Sequence, residues 1–164
     1  MSRRIRVESL ELVTHCHATE DPEKVKQALL NLLPPDLRNR VAVHGQRLSG
    51  YFHNPIVRMQ IVLHRDEALE SFRYVLCRLP EYDRRYLLLS LEQRYDRRAN
   101  KLFLRVDKQE AYMGRIALNE GSDTIRLSVS FSLVRSIDEV RSLLESLCKG
   151  SEDASGSTGS SERS

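Results

Sequence analysis

The sequence predicts an α+β fold: a single domain with a mainly antiparallel sheet and helices packed on one face of it. Segments that alternate apolar and polar residues, as strands do, are interspersed with segments that repeat apolar residues at helical spacing. Their order is β-α-β-β-α-α-β-β-β-α, and turns join neighbouring strands, which favours antiparallel pairing. The length of 164 residues fits one domain over residues 1–149, followed by a disordered Ser/Gly-rich tail over residues 150–164.

The first two elements are predicted by alternation and by a helix start. Residues 4–17 alternate as a strand does, with every second residue of 10–16 on one face. Asp21 followed by Pro22 is typical of a helix start, because Asp accepts backbone N–H bonds at the N-cap and Pro fits the first helical position. The helix is expected to stop at the two prolines 34–35.

The middle of the chain predicts two strands and two helices. A short strand over residues 39–46 precedes a loop, and a longer strand with an apolar core face follows over residues 55–64. Asp66 is the expected N-cap of the second helix. Pro80 is expected to open a third helix that continues through Tyr95.

Three strands and a helix complete the predicted domain. Residues 102–106 and 125–131 alternate apolar and polar side chains, and residues 112–118 are predicted to form the strand between them. A turn rich in Asn, Gly and Asp separates the last two strands. The final helix follows residues 136–139, whose sequence matches a capping box.

The composition is typical of a cytosolic globular protein. Hydrophobic residues make up 40% of the chain and charged residues 30%, which suffices for a core without disulfide bonds. No apolar run long enough for a membrane span occurs, and the polar N-terminus lacks the apolar centre of a secretion signal. The cysteines Cys16, Cys77 and Cys148 are odd in number and widely spaced, which indicates reduced structural thiols rather than a disulfide framework or a zinc ribbon.

The charge balance is compatible with a nucleic-acid partner without requiring one. The net charge is +3, and all but five of the 26 basic residues are arginine. The planar guanidinium group binds phosphates and stacks on bases. Many proteins of this charge bind no nucleic acid, so the charge alone is weak support. The arginines 84, 85, 94, 97 and 98 are interleaved with acidic residues, which is more typical of a solvated helix face than of a phosphate-binding patch.

Two short segments combine glycine, aromatic rings and polar donors beside predicted strands. The first is Gly50-Tyr51-Phe52-His53-Asn54-Pro55-Ile56. A ring at position 51, 52 or 53 could stack on a base, and the side chain at position 54 could form bidentate hydrogen bonds. Alternatively, residues 54–55 simply begin a strand and the ring at position 52 fills the core.

The second segment is Asp107-Lys108-Gln109-Glu110-Ala111-Tyr112-Met113-Gly114. Its lysine and glutamine could reach a phosphate or a 2′-hydroxyl group, and its last glycine permits close approach. Alternatively, the lysine and glutamine form a hairpin turn and the glycine relieves a bulge. The two segments together favour one binding platform, since polar loops at strand ends can meet in space.

Three segments resemble an archaeal family of predicted RNA-binding proteins that is often labelled exosome-related. Residues 15–25, His-Cys-His-Ala-Thr-Glu-Asp-Pro-Glu-Lys-Val, resemble its HATED-x-EKV pattern. Residues 50–56 resemble its GYxGNPI pattern, with His53 where the family has glycine, and residues 107–114 resemble its DKQxAYxG pattern. The resemblance spans residues 5–131, and three ordered motifs make it specific.

The resemblance implies a fold similar to the ribosomal protein that binds 5S rRNA, with an open antiparallel sheet. It also implies a cytoplasmic protein whose partner is RNA. Exosome or ribosomal components are further partners that it implies. No membrane is expected as a partner.

No catalytic or metal-binding arrangement of comparable weight occurs in the sequence. His15 and His17 share a strand face, but two histidines are fewer than the three or four protein ligands of a zinc site. Cys16 lies between them and points to the opposite face of the strand. The sequence has no phosphate-binding Walker loop, G-x-S-x-G or H-E-x-x-H motif. We therefore expect no enzyme activity, no cofactor and no metal site.

The sequence thus predicts a non-catalytic RNA-binding protein that acts in RNA processing, RNA degradation or ribosome-associated work. Binding would use arginine–phosphate contacts and base stacking on one sheet face and its flanking loops. The predicted site residues are Arg47, Tyr51, Phe52, His53, Asn54, Arg58, Lys108, Gln109 and Arg115. The alternative is a protein-interaction module, an accessory subunit of an RNA-processing complex or a ribosome-associated factor, whose loops dock a protein.

Overall fold

A six-stranded antiparallel sheet organises residues 4–48 and 55–149, which are the residues that the computed structural model describes. The strands are β1 (Arg6–Cys16), β2 (His44–Leu48), β3 (Ile56–His64), β4 (Tyr95–Asp96), β5 (Lys101–Asp107) and β6 (Thr124–Ser132). Their order across the sheet is β2-β3-β1-β6-β5-β4. Long β1 therefore lies between β3 and β6, and the predicted α+β class is confirmed.

Helices connect these strands and follow the last one. They are α1 (Pro22–Leu30), a 3-10 helix (Pro35–Leu37), α2 (Arg65–Arg78), α3 (Glu81–Leu89), α4 (Leu91–Arg94), α5 (Lys108–Tyr112) and α6 (137–149). The predicted start of α1 is confirmed, since the Asp21 side chain accepts a hydrogen bond from the Glu23 N–H at 3.0 Å. Helix α2 begins before the predicted cap Asp66, because Arg65 adopts a left-handed φ of 53° and turns the chain directly out of β3.

The core lies on one side of the sheet, beneath the helices. Leu12 of β1, Ile61 of β3 and Leu127 of β6 are fully buried there. Phe72 of α2 packs edge-on against Phe131 of β6, with 6.4 Å between ring centroids. Each such side chain contributes about 1.5–3 kcal/mol on burial, so this layer fixes the position of the strands.

The strand predicted over residues 112–118 is wrong. Its first residue, Tyr112, ends the short helix α5, which begins at Lys108 where a loop or hairpin turn was expected. The Asp107 carboxylate caps this helix by accepting from the Glu110 N–H at 2.8 Å. Gly114, with a φ of 86°, lies just past the end of α5. The chain then runs along the edge of β5, where the Asp107 N–H donates to Ala117 O at 2.8 Å. Only an isolated bridge between Val106 and Leu118 pairs this segment with the sheet.

The third predicted helix is shorter than expected. Helix α3 ends at Leu89, where the Ser90 hydroxyl donates to the carbonyl of Tyr86 at 2.7 Å. The short α4 follows it, and Tyr95 belongs to β4 rather than to a helix, since it pairs with Leu102 of β5.

The expectation of reduced thiols is wrong for two of the three cysteines. Cys77 of α2 and Cys148 of α6 form a disulfide, with 5.3 Å between their Cα atoms. Cys16 is a free, buried thiol, as predicted. Burial raises the pKa of the Cys16 thiol, as does the charge of Glu20, so it stays protonated at neutral pH.

Three parts of the chain lie outside the described residues. They are residues 1–3, 49–54 and 150–164, so the domain boundary at residue 149 and the disordered tail stay predictions. Within the described ranges, no helix has both the length and the apolar character that crossing a bilayer requires.

Candidate nucleic-acid interface

The sheet face opposite the core is polar and cationic. Side chains that lie directly opposite each other on antiparallel strands point to the same side, so the strand register identifies each face. His15 lies opposite Arg58, and Arg105 lies opposite Arg126. We call this side the open face, and its central outward positions are Glu11, Val13, His15, His44, Gln46, Arg58, Gln60, Phe103, Arg105, Arg126 and Ser128.

Arg105 of β5 and Arg126 of β6 form a directly opposed pair of like charges on the open face. Both residues are exposed, and neither forms an ion pair with a carboxylate of residues 4–48 or 55–149. Like charges directly opposite each other destabilise a sheet. A bound phosphate would relieve that repulsion, so the pair is a candidate anion site.

Arg58 extends the positive charge across the open face to β3. Its guanidinium Nη2 lies 4.0 Å from Oε2 of Glu11, and the Gln60 amide donates a hydrogen bond to the same carboxylate. Glu11 therefore offsets part of the charge of Arg58 and holds the neighbouring side chains. The uncompensated charge of the open face is concentrated at β5 and β6.

His15 lies among these cations, and its pKa is lowered by burial and by their charge. Burial lowers the pKa of His15 below its ordinary value of 6.5, and the positive charges of Arg58, His17, Lys108 and Arg126 lower it further. The imidazole is therefore neutral at pH 7. It presents a flat ring and a hydrogen-bonding nitrogen to the open face.

Lys108 is buried, with 3% of its surface exposed, rather than lying on an exposed turn. Its ammonium group lies 2.9 Å from His15 O, 2.9 Å from Glu20 Oε2 and 3.1 Å from Asp123 Oδ1. An ammonium group has three donors, so these contacts use all of them. Lys108 positions the end of β1 rather than reaching out to a phosphate.

Gln109 and Asp123 complete what we call the Lys108 cluster, made of Lys108, Glu20, Gln109 and Asp123. The Gln109 amide donates to Asp123 Oδ2 at 3.0 Å. Burial alone would raise the pKa of Asp123, but the hydrogen bonds from Gln109 and Lys108 outweigh it and lower that pKa below 3.8. Asp123 is therefore ionised at neutral pH, and the cluster is held by charge.

Of the remaining predicted site residues, the structure describes Arg47 and Arg115, which lie apart from the Lys108 cluster. Arg47 lies opposite Val57, which pairs in turn with buried Cys16, so it lies at the sheet edge on the core side, away from Arg58. Arg115 is exposed and forms an ion pair with Glu110 at 2.8 Å. The residues Tyr51, Phe52, His53 and Asn54 lie outside the described residues.

Two of the three motif segments meet directly, and the described end of the third lies beside them. The Asn31 amide at the end of α1 donates to Ala111 O of α5 at 2.9 Å, and the Lys24 ammonium lies 5.8 Å from the Tyr112 ring centroid. The described end of segment 50–56 enters the sheet next to β1 through the pairing of Val57 with Cys16. The resemblance therefore converges on the end of β1 that carries His15.

The structure adds Phe103, Arg105 and Arg126 to the candidate interface, and sequence reasoning did not select them. Alternation along β6 indicates that Arg126 points outward, but an outward arginine on a strand is ordinary. Arg126 stands out only because the strand register sets it opposite Arg105, and the sequence does not show that register.

In the described part of the chain, no group of three or more His, Cys, Asp or Glu side chains is placed to hold a metal ion.

Comparison with known proteins identifies relatives over most of the chain. A family model described as RNA binding matches residues 9–131. The chain is 32% identical to RNA-binding protein PAB1135 of Pyrococcus abyssi over 131 residues, which covers 79% of this chain and 84% of that protein. It is 29% identical over 126 residues to the uncharacterized protein MJ0213 of Methanocaldococcus jannaschii, covering 76% and 85%. The crystal structure of protein AF2318 from Archaeoglobus fulgidus superposes with a TM-score of 0.70 at 28% identity, covering 87% of this chain and all of that one.

Proposed function

We propose that this protein, which belongs to the family described as RNA binding, binds RNA on the open face of its sheet. The observation that carries the proposal is the directly opposed pair Arg105 and Arg126, which has no carboxylate partner among the described residues. Phosphates of a sugar-phosphate chain supply the missing negative charge to these two arginines, whose strands lie about 4.8 Å apart.

The open face offers contacts of several chemical kinds to such a chain. Arg105 and Arg126 hold phosphate through charge-assisted hydrogen bonds, and Arg58 adds a third cation across the sheet. Phe103 and neutral His15 present ring faces to bases between those charges. Phosphate contacts set the affinity, and ring contacts orient the bases.

Finer aspects of the function rest on the resemblance. It supports a role in RNA processing, RNA degradation or ribosome-associated work in the cytoplasm, with exosome or ribosomal components as partners. It also supports likeness to the ribosomal protein that binds 5S rRNA. We expect a binding protein rather than an enzyme.

Fluorescence anisotropy with labelled RNA tests the proposal. We expect Arg126→Gln and Arg105→Gln each to weaken RNA binding severalfold, because each removes one phosphate contact, whereas the double variant loses more. Arg47→Gln is the matched control, since it removes the same charge from the core side of the sheet edge. Equal losses in Arg47→Gln and Arg126→Gln would mean that net charge, and not the open face, drives binding. No detectable binding by the unaltered chain would overturn the proposal itself.

A further inference from the structure

The edge of the open face at β5 continues into a second surface on α3. Two grooves adjoin there and share Gln93, Arg94 and Glu120 in their walls. Phe103, Arg105 and Arg126 of the open face complete the first groove. Tyr86, Leu89 and Ser90 complete the second. A ligand that leaves the open face over β5 therefore enters the groove beside α3.

Arg94 lines both grooves and is held by several contacts. The Arg94 side chain is 10% exposed, and its Nε donates to the Ser90 hydroxyl at 2.7 Å. Its guanidinium group forms an ion pair with Glu120 and lies 5.5 Å from the ring centroid of Tyr86. The charge of Glu120, which lines both grooves, is thereby offset by Arg94, so it repels a phosphate chain less strongly.

Helix α3 presents an exposed stripe of two aromatic side chains and a leucine to this path. Tyr82, Tyr86 and Leu89 are spaced i, i+4 and i+7 on one helix face, and they are 80%, 47% and 84% exposed. Asp83 fixes the helix against the sheet edge, since its carboxylate accepts from the Leu118 N–H at 2.9 Å. The stripe therefore stands at a set distance from the β5 edge.

The charge around this stripe favours a nucleic-acid ligand over an apolar protein segment. An apolar protein segment laid across the stripe and the shared groove would bury Arg105 and Arg126 without counterions, which costs free energy. A nucleic-acid strand places phosphates on those arginines and bases on the rings. Base–aromatic stacking contributes about 1–3 kcal/mol per base, whatever the base. In a duplex the bases already stack within the helix, so only a single strand can offer them to tyrosines.

We propose that the ligand is single-stranded RNA whose path runs from the open face over β5 onto α3, where its bases stack on Tyr86 and Tyr82. This inference rests on the proposed function, since it extends the same binding surface. It names the class of RNA and assigns two aromatic residues that neither family membership nor the motif segments single out.

The test compares Tyr82→Ala/Tyr86→Ala with Tyr82→Phe/Tyr86→Phe, using labelled oligouridines of about 4 and about 16 nucleotides, the range of single-strand site sizes. We expect the alanine pair to weaken binding of the longer oligomer about tenfold or more and to leave the shorter one nearly unchanged. The phenylalanine pair keeps the rings and should bind both like the unaltered chain. Stacking should also quench the tyrosine fluorescence, which no tryptophan masks because the chain has none.

Each contrary result has its own meaning. If Arg126→Gln weakens binding while the alanine pair changes neither oligomer, RNA stays on the sheet and the α3 path is overturned. Tighter binding of duplex than of single-stranded RNA overturns the choice of a single strand. A partner captured from nuclease-treated lysate and lost on Leu89→Ala, with RNA affinity unchanged, assigns the stripe to a protein instead. Absence of all RNA binding by the unaltered chain overturns the proposed function rather than this extension of it.

Discussion

At the residue scale, the ring of His15 is a built-in probe of the open face. Burial and the charge of Arg58 lower the pKa of His15. Arg58→Gln removes that charge, so we expect the pKa of His15 to rise toward 6.5, as measured by NMR titration of the ring protons. Arg135→Gln is the control, because Arg135 is not among the groups that act on His15. An unchanged His15 pKa in Arg58→Gln would mean that the two side chains do not share a face in solution.

Protonation of His15 also has a predictable sign for stability. Because its pKa is lowered in the folded chain, the unfolded chain binds the proton more readily near pH 6.5 and just below. Stability therefore falls as pH drops through that window. A phosphate bound to the open face would place negative charge near His15 and favour its protonated form. RNA binding should therefore raise the pKa of His15.

Lys108 shows how a predicted contact residue can be a positioning residue. Lys108→Met keeps the length of the buried stem but leaves Glu20 and Asp123 without their cation. We expect a loss of about 2 kcal/mol in the free energy of unfolding, less than the roughly 3–5 kcal/mol of a fully buried pair, because both carboxylates keep access to water. Urea denaturation measures it, and Lys26→Met on exposed α1 surface is the matched control. Equal midpoints for the two variants would contradict the role of the Lys108 cluster.

At the element scale, the disulfide joins two helices that are remote along the chain. Cys77 of α2 and Cys148 of α6 are 71 residues apart in sequence, so the cross-link restricts a long loop in the unfolded chain. We expect Cys148→Ala to lower the free energy of unfolding by about 2–4 kcal/mol. A reducing agent should lower the stability of the unaltered chain and leave that of the variant unchanged. Insensitivity of both chains to reduction would show that the bond does not form.

How far the elements could be predicted depended on the range of the interactions that define them. Strand β6 and helix α1 follow from alternation and from the Asp21 cap, which are local signals. Helix α5 was not predicted, because residues 108 and 109 were interpreted as a binding loop or a hairpin turn and the five residues of α5 are too few for helical periodicity. The disulfide left no spacing signal, since its partners meet only through the packing of α6 on α2.

In the candidate site, too, local sequence signals predicted some features, while others depend on contacts between distant strands. The alternation of β3 places Arg58 opposite its core-facing neighbours, and Arg58 does lie on the open face. Arg47 was also predicted as a site residue, yet the register of β2 on β3 turns it to the core side. Arg105 and Arg126 acquire their meaning only as a cross-strand pair. Arg58 could therefore be assigned to the open face from alternation alone, whereas the pairing of Arg105 with Arg126 required the strand register.

At the scale of the whole molecule, the net charge of +3 is too small to hold RNA without a local concentration of cations. The open face supplies one, with Arg58, Arg105 and Arg126 across the strands β3, β5 and β6. Diffuse attraction and a defined site differ in how they respond to salt, because each neutralised phosphate releases counterions. The salt dependence of binding therefore distinguishes a surface that merely attracts RNA from one that contacts a fixed number of phosphates.

Three phosphate contacts on a single strand predict that the logarithm of the binding constant falls with the logarithm of salt concentration with a slope of about −2. Arg126→Gln removes one contact and should make the slope shallower by about 0.7. The Tyr82→Ala/Tyr86→Ala pair should weaken binding at every salt concentration without changing the slope, because stacking releases no counterions. Anisotropy titrations over a salt series measure all three chains together. If Arg126→Gln leaves the slope unchanged, the phosphates bind elsewhere on the molecule. If the tyrosine pair alters the slope, α3 contacts the backbone of the RNA rather than its bases.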